Sequence, residues 1–278
     1  MALWRFKERC YDLSVKPLIM GVLNLTPDSF SDGNSYGSLQ AAVASAEKMV
    51  TDGADIIDVG GESTRPGAEP VSAAEEIARV IPVIEKLAGC LHVPISIDTW
   101  KAEVAKAALQ SGAEIVNDIS AMMLDSQMLT TVAESDAAVV LMHSRDKPAV
   151  MHNNTAYADV VDEIVTFLAA RVAATISAGI AADRIVVDPG IGFGKSVAGN
   201  LEIIRRLSEL QTLDRPLLIG PSRKSFIGAT LNRQVSERVV GTAASVAVAM
   251  MNGASIFRVH DVMVMRDTVD MVRAIMKS

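Results

Sequence analysis

Residues 93–118, VPISIDTWKAEVAKAALQSGAEIVND, decide the fold. Val93–Asp98 is an apolar run of strand length that stops at a carboxylate. Lys101–Ser111 is alanine-rich and amphipathic, which predicts a helix. A second apolar run, Glu114–Asp118, stops at an amide and a carboxylate. Strand, helix, strand in this order is the unit of parallel sheets crossed by helices.

The same alternation continues in both directions. Strands are expected at Pro17–Asn24, Ala54–Val59, Ala137–His143, Arg184–Asp188, Pro216–Gly220 and Ser255–Val259. Helices are expected at Leu39–Asp52, Ser72–Ala88, Tyr157–Ala178, Asn200–Leu210, Val235–Asn252 and Val262–Lys277, with Ser72 and Glu75 as a capping box. Leu25–Tyr36 and Gly60–Pro70 are rich in Gly, Pro, Ser and Asp or Glu and read as loops, the first suited to motion. The strand runs are continuously apolar, as when both faces are covered. A doubly wound sheet uses the same units, but eight strands favour an α/β fold of the (β/α)8 TIM-barrel type. No linker, repeat or low-complexity tract divides residues 1–278, so a single domain is expected, with 1–16 an N-terminal extension before strand one.

Half of the 278 residues are apolar but only 4% are aromatic, so the core is built from Ala, Val, Ile, Leu and Met. A net charge of −7 weighs against a nucleic-acid partner. Cys10 and Cys90 form no CxxC and no metal cluster, and are expected as buried or partly buried free thiols. Met1–Lys16 lacks a secretory apolar core, and Gly241–Met251 is too short to span a bilayer. The chain reads as cytoplasmic, with no membrane partner.

Seven of the apolar runs stop at a polar residue: Asn24, Asp58, Asp98, Asn117, Asp188, Lys224 and Arg258. In such a barrel the C-terminal strand ends and the loops after them form the site. Singly, Asp98 or Asn117-Asp118 serves equally well as a helix cap or as a ligand contact. Together the seven predict one pocket. Asp98, Asn117, Asp188 and Lys224 offer the acceptors, two-way amide and donor that match an amino-oxo pyrimidine fused ring, and Phe193 can pack on a flat ligand. Arg258 and His260, beside Asn24 if the barrel closes, suit phosphate oxygens, and Arg65 can join them. Asn24 suits a Mg2+ ion that also chelates a diphosphate. Ser222, Arg223 and Lys224 before a helix suit a carboxylate. DPGIGFGK at 188–195 is neither a Walker loop nor a GxGxxG, and by itself reads as a tight turn.

Taken in order, GVLNLTPDSFSDG (21–33), DVGGESTRPG (58–67), IDT (97–99), NDIS (117–120), DPGIGFGK, SRKSF (222–226) and RVHDV (258–262) resemble the signatures of the dihydropteroate synthase family. The resemblance covers nearly the whole chain from Met20. It implies a homodimeric TIM barrel that condenses a dihydropterin methyl diphosphate with 4-aminobenzoate, giving dihydropteroate and diphosphate in folate synthesis, with sulfonamides as competitors. It also implies that Asp98, Asn117, Asp188 and Lys224 bind the pterin, and that Asn24 holds Mg2+. Arg258 and His260 would take the diphosphate, with Thr64 and Arg65 also near the substrate. Ser222 would hold the aminobenzoate carboxylate, with Phe30 and Pro66 closing over its ring. Asp98, Lys224, Arg258 and His260 are the residues expected to carry the chemistry, by stabilising charge at an electron-poor methylene and on the leaving group.

One segment departs from the family pattern. After Leu141-Met142-His143 the chain runs Ser144-Arg145-Asp146-Lys147-Pro148 and on to Ala156, so no catalytic part is given to His143 or His152. His92, before strand three, is expected at the opposite rim. Two other readings share the ring contacts, a corrinoid-linked methyltransferase barrel and a non-catalytic pterin-binding paralogue. The first has less use for SRKSF and the anion pair, and the second predicts damage to them. A sugar-type isomerase would need a strand-end Glu, which none of the seven positions supplies.

Overall fold

The computed structural model describes residues 3–25, 35–63, 69–145, 151 and 154–277, except for the side chains of residues 35–38. Within these residues β1 (Leu3–Phe6) and β2 (Arg9–Asp12) form an antiparallel hairpin. Eight parallel strands follow: β3 (Leu18–Asn24), β4 (Ile56–Gly60), β5 (Ile95–Asp98), β6 (Ile115–Asp118), β7 (Ala138–Met142), β8 (Ile185–Asp188), β9 (Leu218–Ile219) and β10 (Ile256–Val259). Their order in the sheet is β8-β7-β6-β5-β4-β3-β10-β9, and a parallel bridge from Val187 to Leu217 joins the two ends. The expected single-domain TIM barrel is the fold of this chain.

Helices α1 (Ser35–Thr51), α2 (Ala73–Ala88), α3 (Ala102–Gln110), α4 (Met128–Ala133), α5 (Val160–Ser177), α6 (Val197–Arg205), α7 (Ser225–Leu231), α8 (Val239–Met251) and α9 (Val262–Lys277) surround it. The capping box forms: Ser72 Oγ accepts the Glu75 N–H and Glu75 returns a carboxylate to the Ser72 N–H. Such a cap contributes about 1 kcal/mol. Two expected helices are split. Asn200–Leu210 divides between α6 and a 3-10 turn at Leu207–Leu213, and Val235–Asn252 between a turn at Val235–Glu237 and α8.

Alternation sorts the core into two shells. Leu18, Met20, Ile56, Ile115, Ala138, Val140, Val186, Leu218 and Ile256 fill the barrel, while Ile19, Ile57, Ile97, Val116, Val139, Val187 and Phe257 pack under the helices. The N-terminal extension is part of this core. Trp4, Phe6 and Leu13 join the interior cluster, so the hairpin plugs the end opposite the strand C-termini. Full burial of Trp4 and Phe6 contributes roughly 1.5–3 kcal/mol each. His92 belongs to that lower rim, where its carbonyl accepts from Arg9. Cys10 and Cys90 are free as expected but exposed rather than buried, because β2 and the end of α2 turn them outward.

Candidate active site

Strand register builds the pocket. Asn24 of β3 lies beside Gly60 of β4, Gly60 beside Asp98 of β5, and Asp98 beside Asn117 of β6. Asp188 ends β8, and Arg258 stands one residue before the end of β10. Asn117, like Arg258, stands one residue before its strand's end, and two of the seven positions are further from a strand end. Asp58 is the middle residue of β4 and, two before Gly60, faces the barrel one layer deeper. Lys224 lies five residues past β9 and caps α7, so a turn rather than a strand delivers it.

These side chains are brought together across the barrel. Arg258 Nε donates to Asp58 Oδ2 at 2.6 Å, and its Nη2 donates to Asp98 Oδ2 at 2.6 Å. Asn117 Nδ2 donates to the same Asp58 oxygen at 3.2 Å, which leaves the Asn117 carbonyl oxygen to accept. Asp58 is fully buried, and its Oδ1 has no hydrogen-bond partner among the described residues. Asp98 does not act as a helix cap, since the first N–H of α3 is bound by Asp125. Asp118 does serve the local role: its carboxylate takes the N–H groups of Ser120 and Met122 and holds that turn.

Burial pushes the Asp98 carboxyl up to about 7; Arg258 opposes this and Asp58 adds to it. Burial raises Asp188 to about 6, against the Gly190 N–H bound at 2.7 Å. Lys224 is brought down to about 8, first by burial and then by Arg258, and its Nζ lies 4.2 Å from the centre of the Phe193 ring. Arg258 is held above its usual range because Asp58 and Asp98 outweigh its burial.

His260 is a neutral imidazole, lowered to about 4 by burial and then by Arg258 and Arg223. Ser222 Oγ accepts the His260 backbone N–H at 3.1 Å and lies 3.0 Å from Nδ1. Where the hydroxyl proton points at Nδ1, the ring proton sits on Nε2 as a donor. Arg223 has left-handed backbone at φ 57° and pairs bidentately with Asp261. The three residues of the SRK turn are therefore separated in use: Ser222 turns to His260, Arg223 to Asp261, and Lys224 to the Phe193 ring. Phe30, Thr64, Arg65, Pro66 and His152 lie outside the described residues.

Sequence reasoning missed two supporting groups. Lys101 Nζ donates to Glu62 at 3.0 Å and to Glu76 at 2.6 Å, while Trp100 donates to Glu62 at 3.1 Å and Glu62 accepts the Val71 N–H. This ties Glu62, Val71 and the segment after Asp98 together. The signal was a lysine that no solvated face required. Lys195 is the second. Buried and lowered by burial to about 7, it donates to the carbonyls of His143 and Phe193 and braces the 188–195 turn. His143 is lowered to about 2 by burial and then by Lys195, and packs edge-on against Phe167. It remains without a catalytic part.

A divalent ion fits this donor set only with help. A Cβ on Gly60 would lie 3.7 Å from both Asn24 Oδ1 and Asp98 Oδ2, so the missing side chain leaves a recess flanked by two oxygens. Oxygen donors suit Mg2+, which keeps water and phosphate ligands. No group of three or more His, Cys, Asp or Glu among the described residues could hold a metal alone.

The barrel and its mouth of paired carboxylates, amide and cations define a pterin-binding enzyme, and the family profile described as "Pterin binding enzyme" matches residues 20–260. A dihydropteroate synthase from Synechocystis sp. is 48% identical over 92% of this chain and 89% of its own length. One from Bacillus subtilis is 46% identical over 89% of this chain and 84% of its own. Among solved structures, Xanthomonas albilineans dihydropteroate synthase with 4-aminobenzoic acid has a TM-score of 0.93 at 41% identity, covering 100% of this chain and 99% of its own. The Yersinia pestis enzyme in a sulfonamide complex also gives 0.93, at 40% identity over 99% of this chain and 100% of its own. This chain belongs to the dihydropteroate synthase family.

Proposed function

We propose that the chain condenses a dihydropterin methyl diphosphate with 4-aminobenzoate to give dihydropteroate and diphosphate. The observation that carries this is the Asp58–Arg258–Asp98 arrangement, in which a cation suited to an anionic leaving group touches a carboxylate suited to a ring. Asp98, Asn117, Asp188 and Lys224 would read the ring, with Phe193 against it. Arg258 and the Nε2–H of a neutral His260 would receive diphosphate oxygens as the carbon–oxygen bond breaks. Asp98 would then stabilise the electron-poor methylene while the arylamine attacks it and loses a proton. Phe30 and Pro66 are assigned to the 4-aminobenzoate ring and Ser222 to its carboxylate, towards which its hydroxyl would turn from His260. Arg65 is assigned to the anion and Thr64 to the neighbourhood of the substrate. Asn24 would hold Mg2+, which when bound offsets charge on the diphosphate. The test is Mg2+-dependent diphosphate release that requires 4-aminobenzoate and is competed by a sulfonamide. Folded protein with no such release would refute the reading.

The shifted groups set a pH dependence for ring binding. An ionised Asp98 is needed to accept ring N–H groups, and its pKa of about 7 means affinity rises with pH up to that point. A protonated Lys224 is needed as donor, and its pKa of about 8 means affinity falls above that point. Calorimetric titration with 6-hydroxymethylpterin should give an optimum between the two. Binding about tenfold weaker is expected at pH 6, because one unit below its pKa only about a tenth of Asp98 is ionised. A flat profile from pH 6 to 9 would remove Asp98 and Lys224 from this role.

The domain is taken as one pterin-binding unit over 1–278, and its place as the cytoplasm. No helix among the described residues is long and apolar enough to cross a membrane. We assign the expected homodimer contact to α8 and α9, where Val240, Met251, Val264 and Met271 are exposed. Val240 and Met251 share one helical face, as do Val264 and Met271, and exposed apolar faces of this kind mark an interface. Light scattering should report twice the 29.5 kDa chain mass, and V240E/M251E should halve it. A monomeric parent would refute the assignment.

A further inference from the structure

The two halves of the site share Arg258. Its two carboxylate contacts are equal in length, 2.6 Å, but not in setting. The Asp58 side chain has no accessible surface, whereas that of Asp98 is 16% accessible at the pocket mouth. Asp58 is also pinned by Asn117, and its Oδ1 has no hydrogen-bond partner among the described residues, so its contact to Arg258 Nε is the more firmly held of the two. The Arg258 bonds among the described residues use Nε and Nη2 and leave Nη1 for a ligand. The Asp98 oxygen that Arg258 occupies is one that ring N–H donors would need.

We infer that Arg258 is a displaceable counter-ion of Asp98, with Asp58 the fixed pivot that holds its Nε. An anion at the spare guanidinium donors draws Nη2 away from Asp98. The carboxylate is then free for the ring, while Asp58 still balances the buried cation. Ring and diphosphate therefore bind cooperatively, since each removes the contact that opposes the other. Cooperativity of this kind is a coupling between sites, and it is reciprocal. Asp58 is a positioning residue that acts through Arg258. The inference rests on the proposed function for the identity of ring and anion.

The experiment is calorimetric titration of the full chain with 6-hydroxymethylpterin, with and without saturating inorganic diphosphate, at constant Mg2+. Ring binding by itself reports on the proposed function, and the ratio of the two affinities reports on the exchange. In the wild type, diphosphate should tighten ring binding about tenfold, within the usual range of allosteric couplings. Asp58→Asn keeps the shape but removes the counter-charge, so Arg258 leans wholly on Asp98. Ring binding alone should then weaken about tenfold, while binding with diphosphate stays within about threefold of wild type, and the coupling grows. A merely structural Asp58 would weaken both titrations equally, and that result would overturn its role. Ring affinity in the wild type that ignores diphosphate would overturn the exchange itself.

Discussion

Arg258→Ala should lower kcat/KM by roughly a thousandfold or more, the order seen when a charge-stabilising donor or arginine is removed from a transition state. Its guanidinium joins Asp58 and Asp98 and is the cation assigned to the departing diphosphate. Removing it also leaves two neighbouring buried carboxylates without their cation. Breaking a buried pair in this way costs about 3–5 kcal/mol, so thermal stability should fall as well. The pH sign separates the two effects. Asp98 is already raised to about 7, and loss of Arg258 raises it further. A carboxyl raised in the folded state contributes stability at low pH and loses it as pH rises through the folded value. The melting deficit should therefore be largest above pH 7 and shrink towards pH 5, while turnover stays low throughout. Arg258→Lys should recover stability in part but not turnover, because an ammonium cannot span Asp58 and Asp98 as the fork does. Affinity for the unphosphorylated ring should fall in Arg258→Ala at neutral pH, where Asp98 is then protonated, and be kept or improved only at a pH high enough to ionise Asp98. Turnover within tenfold of wild type would remove Arg258 from the chemistry.

Gly190→Ala should be the most damaging small substitution for stability. Gly190 follows Asp188 with φ +70°, and a Cβ there would lie 2.0 Å from the His143 carbonyl oxygen and 3.3 Å from Lys195 Nζ. Both obstacles belong to the buried brace, so neither can retreat without breaking the Lys195 hydrogen bonds. Left-handed strain and overpacking each cost about 1–3 kcal/mol, giving on the order of 4 kcal/mol. In a chain of this size that is roughly a 10 °C fall in Tm. Ring binding should weaken too, because the Gly190 N–H orients Asp188. Gly179→Ala is the control. Its φ of +96° is as unusual, but nothing lies within 4 Å of the added Cβ. Only the backbone cost of about 1 kcal/mol is expected there. Equal melting shifts in the two variants would show that the His143 contact is not what makes Gly190 necessary.

Much of the site was legible because strand periodicity carries position. Asn24, Asp98 and Asp188 interrupt apolar runs, and register places them where the interruption implies. Asp58 was harder to place. Its carboxylate lies inside β4, and its partner Arg258 is 200 residues away, so no local pattern links them. Lys224 was identified but misplaced, because the left-handed Arg223 and the turn after β9 set its position. The N-terminal hairpin was written in the alternation of Trp4 and Phe6 with charged residues, yet four-residue strands give little periodic signal. Cys10 and Cys90 were assigned by the average habit of free thiols, and local strand and helix direction overrode that habit.

The sequence by itself determined the eight strands, the crossing helices other than α4 (Met128–Ala133), the single barrel domain and the chemical inventory of the pocket. These follow from local periodicity and from which residues interrupt it. Only the tertiary structure decided how the inventory is wired. Closure of the sheet from Val187 to Leu217 brings β10 against β3 and across from β4 and β5, and burial then makes each unpaired charge costly. Under that constraint one arginine serves two carboxylates, Ser222 pairs with His260, and Lys195 braces the turn that holds Asp188. Those choices depend on distances across the barrel, which residues far apart along the chain acquire only when the barrel closes.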